Sequence, residues 1–169
     1  MHPFDSFPYD QSFYAQSDPS VLLLYYVEGV QPVIKIESPH LFDFINSFED
    51  AGLCRNEISN NRPRNCSLFV HKENMETWIW NNNPIDDNLN QIIVFCHFDH
   101  ERNHFRDWSR RYTSRPLTII RCDELQRELL VFGMNYLNNL AALFQNNAPV
   151  HQRLRQQQRR LCVALINLL

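Results

Sequence analysis

Short apolar segments that alternate with amphipathic helical patterns are the feature that most constrains how this chain folds. Residues 21–27 read VLLLYYV and residues 91–96 read QIIVFC. Continuous apolar character over so few residues is typical of strands that are buried on both faces of a parallel sheet. Parallel strands also need long crossover connections, which helices usually supply. We therefore predict an α/β fold, a single domain with a mostly parallel sheet flanked by helices.

Three further segments have strand character, namely residues 33–37, 67–70 and 117–121. The segment TWIW at residues 77–80 fits either a strand or a packed loop. Residues 81–90 read NNNPIDDNLN, a polar linker between elements.

A first helix is predicted before residue 52. Ser38 suits its cap, Pro39 its first position and Gly52 the residue just past its end. Its apolar stripe comprises Leu41, Phe44, Ile45 and Phe48. We expect residues 53–66 to form a loop.

Helical patterns are clearer in the second half of the chain. Residues 100–112 place Phe105, Trp108 and Tyr112 on one stripe. A longer helix over residues 123–146 carries apolar residues at spacings of three and four, namely Leu125, Leu129, Phe132, Tyr136, Leu140 and Leu143.

The chain divides into three regions. Residues 1–20 contain three prolines without periodicity and are expected to form a flexible tail. Residues 21–146 form the α/β domain, and residues 147–169 form a C-terminal amphipathic helix. The last helix repeats the apolar spacing with Val150, Leu154, Leu161, Leu165 and Leu168.

The two C-terminal helices are expected to bind a protein partner or a second copy of the chain. Both carry apolar seams close to a heptad spacing, and an exposed apolar terminus would be unfavourable, which also leaves open that the last helix packs against its neighbour. The expected contact residues are Leu154, Leu161, Leu165 and Leu168, with Arg153, Arg155, Arg159 and Arg160 beside them.

Charge is distributed unevenly along the chain. Residues 1–50 hold eight acidic residues against one basic residue, whereas residues 101–169 hold eleven arginines against five acidic residues. This polarity favours an acidic partner or complementary packing within the fold. Nucleic-acid binding through the C-terminal arginines is a third hypothesis, although the net charge of −3 argues against it.

Cysteine usage and hydropathy suggest the compartment. Five cysteines at irregular spacing do not form a disulfide framework and fit reduced thiols. We find no apolar run of the roughly 20 residues that cross a bilayer, and no secretory signal pattern. We expect a cytoplasmic protein without a membrane segment, with the nucleus as the alternative.

The segment HERNH at residues 100–104 matches the zinc-peptidase pattern H-E-x-x-H. In that interpretation His100 and His104 bind zinc and Glu101 is the general base. The charged neighbours Asp99 and Arg102 depart from the peptidase pattern. We interpret the segment as an ordinary helix start, with Asp99 as the N-cap.

Metal binding at the same sheet edge is the alternative. In parallel sheets ligands bind outside the carboxyl ends of the strands, where Cys96 and His97 lie beside Cys122. The alternative zinc ligands are His100, His104, Glu124, Cys96 and Cys122.

Other catalytic patterns are excluded or weak. Three scattered glycines exclude a glycine-rich phosphate loop, and no serine lies in a G-x-S-x-G elbow. Cys96 and His97 are adjacent on a strand and point to opposite faces, so they do not form a nucleophile–base pair.

The segment NQIIVFCHFDHERNHFRDWSRRYTSRPLTII, followed by DELQRELL, covers residues 90–130. It resembles a TIR-like or receiver-like α/β module of invertebrate multidomain proteins, often found ahead of ADP-ribosyltransferase or TPR regions. The segment FINSFEDAGLC resembles an earlier helix of that module more weakly. The resemblance implies a TIR-like or flavodoxin-like layout and transfers no catalytic residues. The chain lacks the E-x-E pair of an arginine ADP-ribosyltransferase, the TIR glutamate after its tryptophan and the paired acids of a receiver.

These observations favour a non-catalytic protein–protein interaction or regulatory module of intracellular signalling, without a cofactor. A metal-dependent hydrolase or metal-binding domain, with zinc at the HERNH edge, is the alternative.

Overall fold

The computed structural model describes residues 20–29, 45–60 and 66–169 of the chain. In chain order, the elements within these ranges are β1 (Ser20–Leu24), β2 (Ile45–Phe48), α1 (Ala51–Asn60), β3 (Cys66–His71), α2 (Lys72–Trp80), β4 (Leu89–Cys96), α3 (Asp99–Tyr112), β5 (Thr118–Arg121), a 3-10 turn (Cys122–Glu124), α4 (Leu125–Leu143) and α5 (Ala148–Leu168).

The five strands form one parallel sheet in the order β2-β1-β3-β4-β5. The predicted α/β fold with a parallel sheet is confirmed. This order is that of flavodoxin-type doubly wound sheets, in which the winding reverses between β1 and β3. The predicted strand at residues 33–37 lies outside the described residues, as do residues 1–19 of the predicted tail.

Two apolar layers cover the sheet. Strand residues Leu22, Leu68 and Val94 face one layer, which includes Met75 and Phe105 from the helices between the strands. The opposite layer includes Leu23, Phe69, Phe95 and Ile120, together with buried residues of α4 and α5. All six residues of β3 are buried, because the strand is covered on both faces.

The two C-terminal helices pack against each other and against the sheet. Leu154 and Leu161 of α5 belong to the same buried cluster as Leu137 and Leu140 of α4. The predicted stripe of α4 is buried at Leu125, Leu129, Tyr136 and Leu140, and Phe132 is partly buried. The helix ends at Leu143, three residues before the predicted end, and Leu143 is 67% exposed.

The predicted helix before residue 52 is wrong over its described part. Ile45–Phe48 is a strand that pairs with β1, and the Tyr25 N–H donates to the Phe48 carbonyl over 3.0 Å. Pairing with a buried strand therefore overrides the local helical spacing.

The predicted loop after Gly52 is also wrong. Its first part is α1, in which Cys54 and Ile58 are buried one turn apart. The Asp50 carboxylate accepts the Leu53 N–H over 2.8 Å at the start of this helix.

TWIW is helical, in contrast to the strand or loop expected from the sequence. It forms the last turn of α2, where Trp78 and Ile79 are buried. None of the described helices is long and apolar enough to cross a membrane.

Candidate metal centre

Three strands end side by side at the carboxyl edge of the sheet. His71 is the last residue of β3, His97 directly follows β4, and Cys122 directly follows β5. One nitrogen of each histidine and the Cys122 sulfur lie within 4.8 Å of one another. We call these three residues the edge cluster.

The pleat of the sheet explains why these side chains meet. Each one lies two residues after a core residue of the face that α4 and α5 cover, namely Phe69, Phe95 and Ile120. The parallel register pairs His71 with Phe95 and Phe95 with Ile120. Successive side chains on one face of neighbouring strands therefore bring the three residues together.

His71 is buried, with 2% of its surface exposed. Its Nδ1 accepts the Glu73 N–H over 3.3 Å and caps α2. Its Nε2 has no hydrogen-bond partner among the described residues. A buried polar atom without a partner is unfavourable, so Nε2 marks a point where a ligand would be stabilised.

Aromatic rings hold the His71 ring in place. Tyr25 meets it edge-on, with ring centroids 5.1 Å apart, and the Phe95 centroid lies at 5.5 Å. The His97 ring is 5.3 Å from the His71 ring. Burial, followed by the nearby His97, lowers the pKa of His71 to about 4. The ring is therefore neutral near pH 7, which is the form that binds metal ions.

His97 is exposed, but its backbone is anchored. Its N–H donates to Glu101 Oε2 over 3.1 Å, and the Phe98 N–H donates to the same oxygen over 3.0 Å. Glu101 Oε1 lies 3.8 Å from the Lys72 ammonium. The turn between β4 and α3 is therefore tied to the start of α2.

Cys122 is partly buried in the turn after β5. Burial, followed by the fields of Cys96 and Glu101, raises the pKa of its thiol to about 12. The thiol is protonated near pH 7, which argues against a free thiolate nucleophile. A bound metal ion would deprotonate it and use the sulfur as a ligand.

One thiolate and two neutral imidazoles form a ligand set that zinc accepts. An ion with four ligands that used these three side chains would take its fourth from a water molecule or an added ligand.

Comparison of the chain with protein-family models, with curated proteins and with solved structures returned no match. The resemblance to a TIR-like module therefore stays an expectation, and the geometry of the described residues carries the functional argument.

Of the five alternative zinc ligands expected from the sequence, Cys122 alone lies in the edge cluster. His100 and His104 are exposed on α3, and the His100 ring stacks on Phe98 with centroids 5.5 Å apart. Glu124 accepts the Arg121 N–H over 2.8 Å, and Cys96 is buried with its thiol 3.5 Å from the Ile120 carbonyl. HERNH therefore does not form the zinc-peptidase arrangement.

Asp99 is not the N-cap that the sequence suggested. Helix α3 begins at Asp99, so Phe98 occupies the cap position. The Asp99 carboxylate instead lies 3.4 Å from the Arg121 guanidinium. Glu101, expected as a general base in the peptidase interpretation, uses its carboxylate for the backbone of His97 and Phe98.

Sequence reasoning missed His71. The strand predicted at residues 67–70 stopped one residue short of it, whereas β3 extends through His71. The available signal was its position at the end of a buried strand, matching that of His97 after β4.

The expected partner surface on α5 is only partly exposed. Leu154 and Leu161 are buried against the rest of the domain, which makes them unavailable to a partner, and Leu165 is partly buried. Arg155 donates to Asn138 on α4 over 3.0 Å. Four apolar residues at the C-terminal end are exposed, namely Val163, Ile166, Leu168 and Leu169.

Proposed function

We propose that this protein is a metal-binding domain in which His71, His97 and Cys122 hold a zinc-type ion. The observation that carries the proposal is the convergence of one ligand atom from each residue within 4.8 Å. In addition, the buried His71 Nε2 has no hydrogen-bond partner among the described residues. A buried nitrogen, a neighbouring imidazole and a thiol offer three ligands of the types that zinc prefers.

The arrangement supports access from solvent. His71 lies at the buried base of the cluster, whereas His97 is exposed and Cys122 is partly exposed. An ion would reach the cluster past these two residues. Such an ion would therefore be exchangeable and accessible to small ligands.

The hydrogen bond at His71 limits the expected affinity. Because Nδ1 accepts the Glu73 N–H, the proton of the neutral ring lies on Nε2 in the metal-free protein. An ion at Nε2 must displace this proton, and a proton on Nδ1 would then face another donor. Zinc-bound histidines usually donate this proton to an acceptor, and loss of such a partner weakens binding by about 10–100-fold.

Metal titration of the purified, untagged chain tests the proposal. We expect one zinc or cobalt ion per chain, measured by elemental mass spectrometry and by isothermal titration. His71→Ala and Cys122→Ser should each abolish binding, because each removes a ligand. Co²⁺ should give a sulfur charge-transfer band that Cys122→Ser removes.

A double variant, His100→Ala with His104→Ala, is the matched control. It removes two exposed histidines of the same sheet edge and should leave stoichiometry and affinity unchanged. Absence of bound metal in the unaltered chain would refute the proposal. If the control loses binding while the His71 and Cys122 variants keep it, the metal ion binds at HERNH instead.

A protein-interaction function is a second candidate, supported by the exposed apolar side chains at the end of α5. Val163 is 57% and Ile166 is 62% exposed on the same helix. Exposed apolar groups of this kind favour contact with a protein partner or a second copy. Native mass spectrometry of the double variant Val163→Ser with Ile166→Ser tests self-association, which the variant should reduce.

A further inference from the structure

We infer that Glu101 is a positioning residue of the edge cluster, which holds the His97 ligand beside His71 through the backbone. The inference rests on the proposed metal-binding function. It also gives the glutamate of HERNH a role other than that of a general base.

Glu101 Oε2 accepts two backbone hydrogen bonds. The Phe98 N–H donates to it over 3.0 Å, as a residue at the cap position commonly does to a glutamate three residues later. The His97 N–H donates to the same oxygen over 3.1 Å. Capping of α3 requires the first bond only, so the second one acts on the residue that carries the ligand.

The other oxygen of the same carboxylate faces the residue that follows His71. Glu101 Oε1 lies 3.8 Å from Lys72 Nζ, and Lys72 directly follows His71. Lys72 is also 3.4 Å from Glu76 of α2. One carboxylate therefore links the end of β3, which carries His71, to the end of β4, which carries His97.

Glu101 also lies in the first turn of α3. The start of a helix favours a negative charge, so this position suits a carboxylate that holds the turn before the helix.

Two substitutions separate hydrogen bonding from charge. In Glu101→Gln an amide oxygen can still accept both N–H groups, whereas Glu101→Ala removes the acceptor. Asp107→Ala is the matched control, because Asp107 is an exposed acidic residue on the same helix. Each chain is titrated with Co²⁺, and affinity and visible spectrum are recorded.

We expect Glu101→Ala to weaken Co²⁺ binding by about 10-fold or more, within the range for lost supporting contacts. Its spectrum should keep the sulfur charge-transfer band of Cys122, while its d–d bands shift from those of the unaltered chain. Glu101→Gln should stay within about threefold of the unaltered chain, and Asp107→Ala should not change binding. An equal loss of Co²⁺ affinity in both Glu101 variants, or unchanged binding in Glu101→Ala, would overturn the inference. The metal site itself is tested separately by His71→Ala and Cys122→Ser.

Hydrogen exchange of the metal-free protein gives an independent test. The amides of His97 and Phe98 should exchange about 10-fold faster in Glu101→Ala, and interior amides of α3 should keep their rates. An unchanged His97 amide would overturn the positioning role whether or not metal binds. If these amides exchange faster in Glu101→Ala but the unaltered chain binds no Co²⁺, the proposed metal site is refuted. The ligand-positioning role is then refuted as well.

Discussion

His71 combines three properties that conflict in an ordinary core residue. It is an ionisable group, it is almost fully buried, and one of its ring nitrogens lacks a partner among the described residues. Its other nitrogen caps α2 over 3.3 Å, so the residue cannot be replaced by an apolar one without loss of the cap. A bound ion would satisfy the unpartnered Nε2, but it would shift the ring proton to Nδ1 and weaken the hydrogen bond from the Glu73 N–H.

The pKa of His71 predicts a loss of stability in mild acid. Its folded pKa of about 4 lies below the ordinary value of 6.5, so the unfolded chain binds the proton more tightly. The stabilisation is complete above pH 6.5 and is lost as the pH falls towards 4. A shift of this size corresponds to a change on the order of 2–3 kcal/mol in the free energy of unfolding.

Urea unfolding between pH 7 and pH 4 measures this effect. His71→Gln removes the titrating ring and should flatten the dependence in this interval. His100→Gln, at an exposed position, should retain the full dependence. Parallel pH curves for the unaltered chain and His71→Gln would contradict the prediction.

At the level of elements, the sequence predicts those parts whose pattern is long or fully buried. Strand β4 and helix α3 match their predicted positions because an apolar run and a helical stripe lie next to each other. Strand β2 is only four residues long and buries only Ile45, so its pairing with β1 leaves little trace in the sequence.

The residues of the edge cluster were likewise predicted only where the sequence pattern is clear. Cys122 and His97 were expected at the sheet edge because the ends of β4 and β5 are clear in the sequence. His71 was missed because the apolar run ends at Val70, and a histidine as the last buried residue of a strand breaks the apolar pattern. Register and burial decide its role, and neither is visible from local residue types.

The buried and exposed apolar side chains of α5 should contribute unequally to the free energy of unfolding. Leu161 is 1% exposed and packs in the cluster that includes α4, whereas Ile166 is 62% exposed. Leu161→Ala should lower the free energy of unfolding by about 2–5 kcal/mol, because it leaves a cavity. Ile166→Ala should change it by about 0.5 kcal/mol or less. Denaturant unfolding of both variants measures the difference, and equal effects would show that α5 does not pack as described.

On the scale of the whole molecule, the edge cluster lies at the rim of one apolar layer, against which Cys122 packs. The sheet is covered by helices on both faces, and the edge cluster lies where three strands end. Both layers consist of apolar side chains, which pack without a metal ion. A metal ion would therefore act on a fold that already exists, unlike the ion of a zinc finger, which supplies the folding energy itself.

A core that packs without an ion predicts how metal affects stability. The chelated protein should unfold cooperatively, and added zinc should raise its melting temperature in proportion to the logarithm of the concentration. At a free zinc concentration of about 100 times Kd the stabilisation is about 2.7 kcal/mol. For a chain of this length that corresponds to a rise of about 5–10 °C. The melting temperature of His71→Ala should not rise with zinc. The double variant His100→Ala with His104→Ala should show the same rise as the unaltered chain. If chelation alone unfolds the protein, the ion is part of the fold. The core then does not pack without it, and the prediction is wrong.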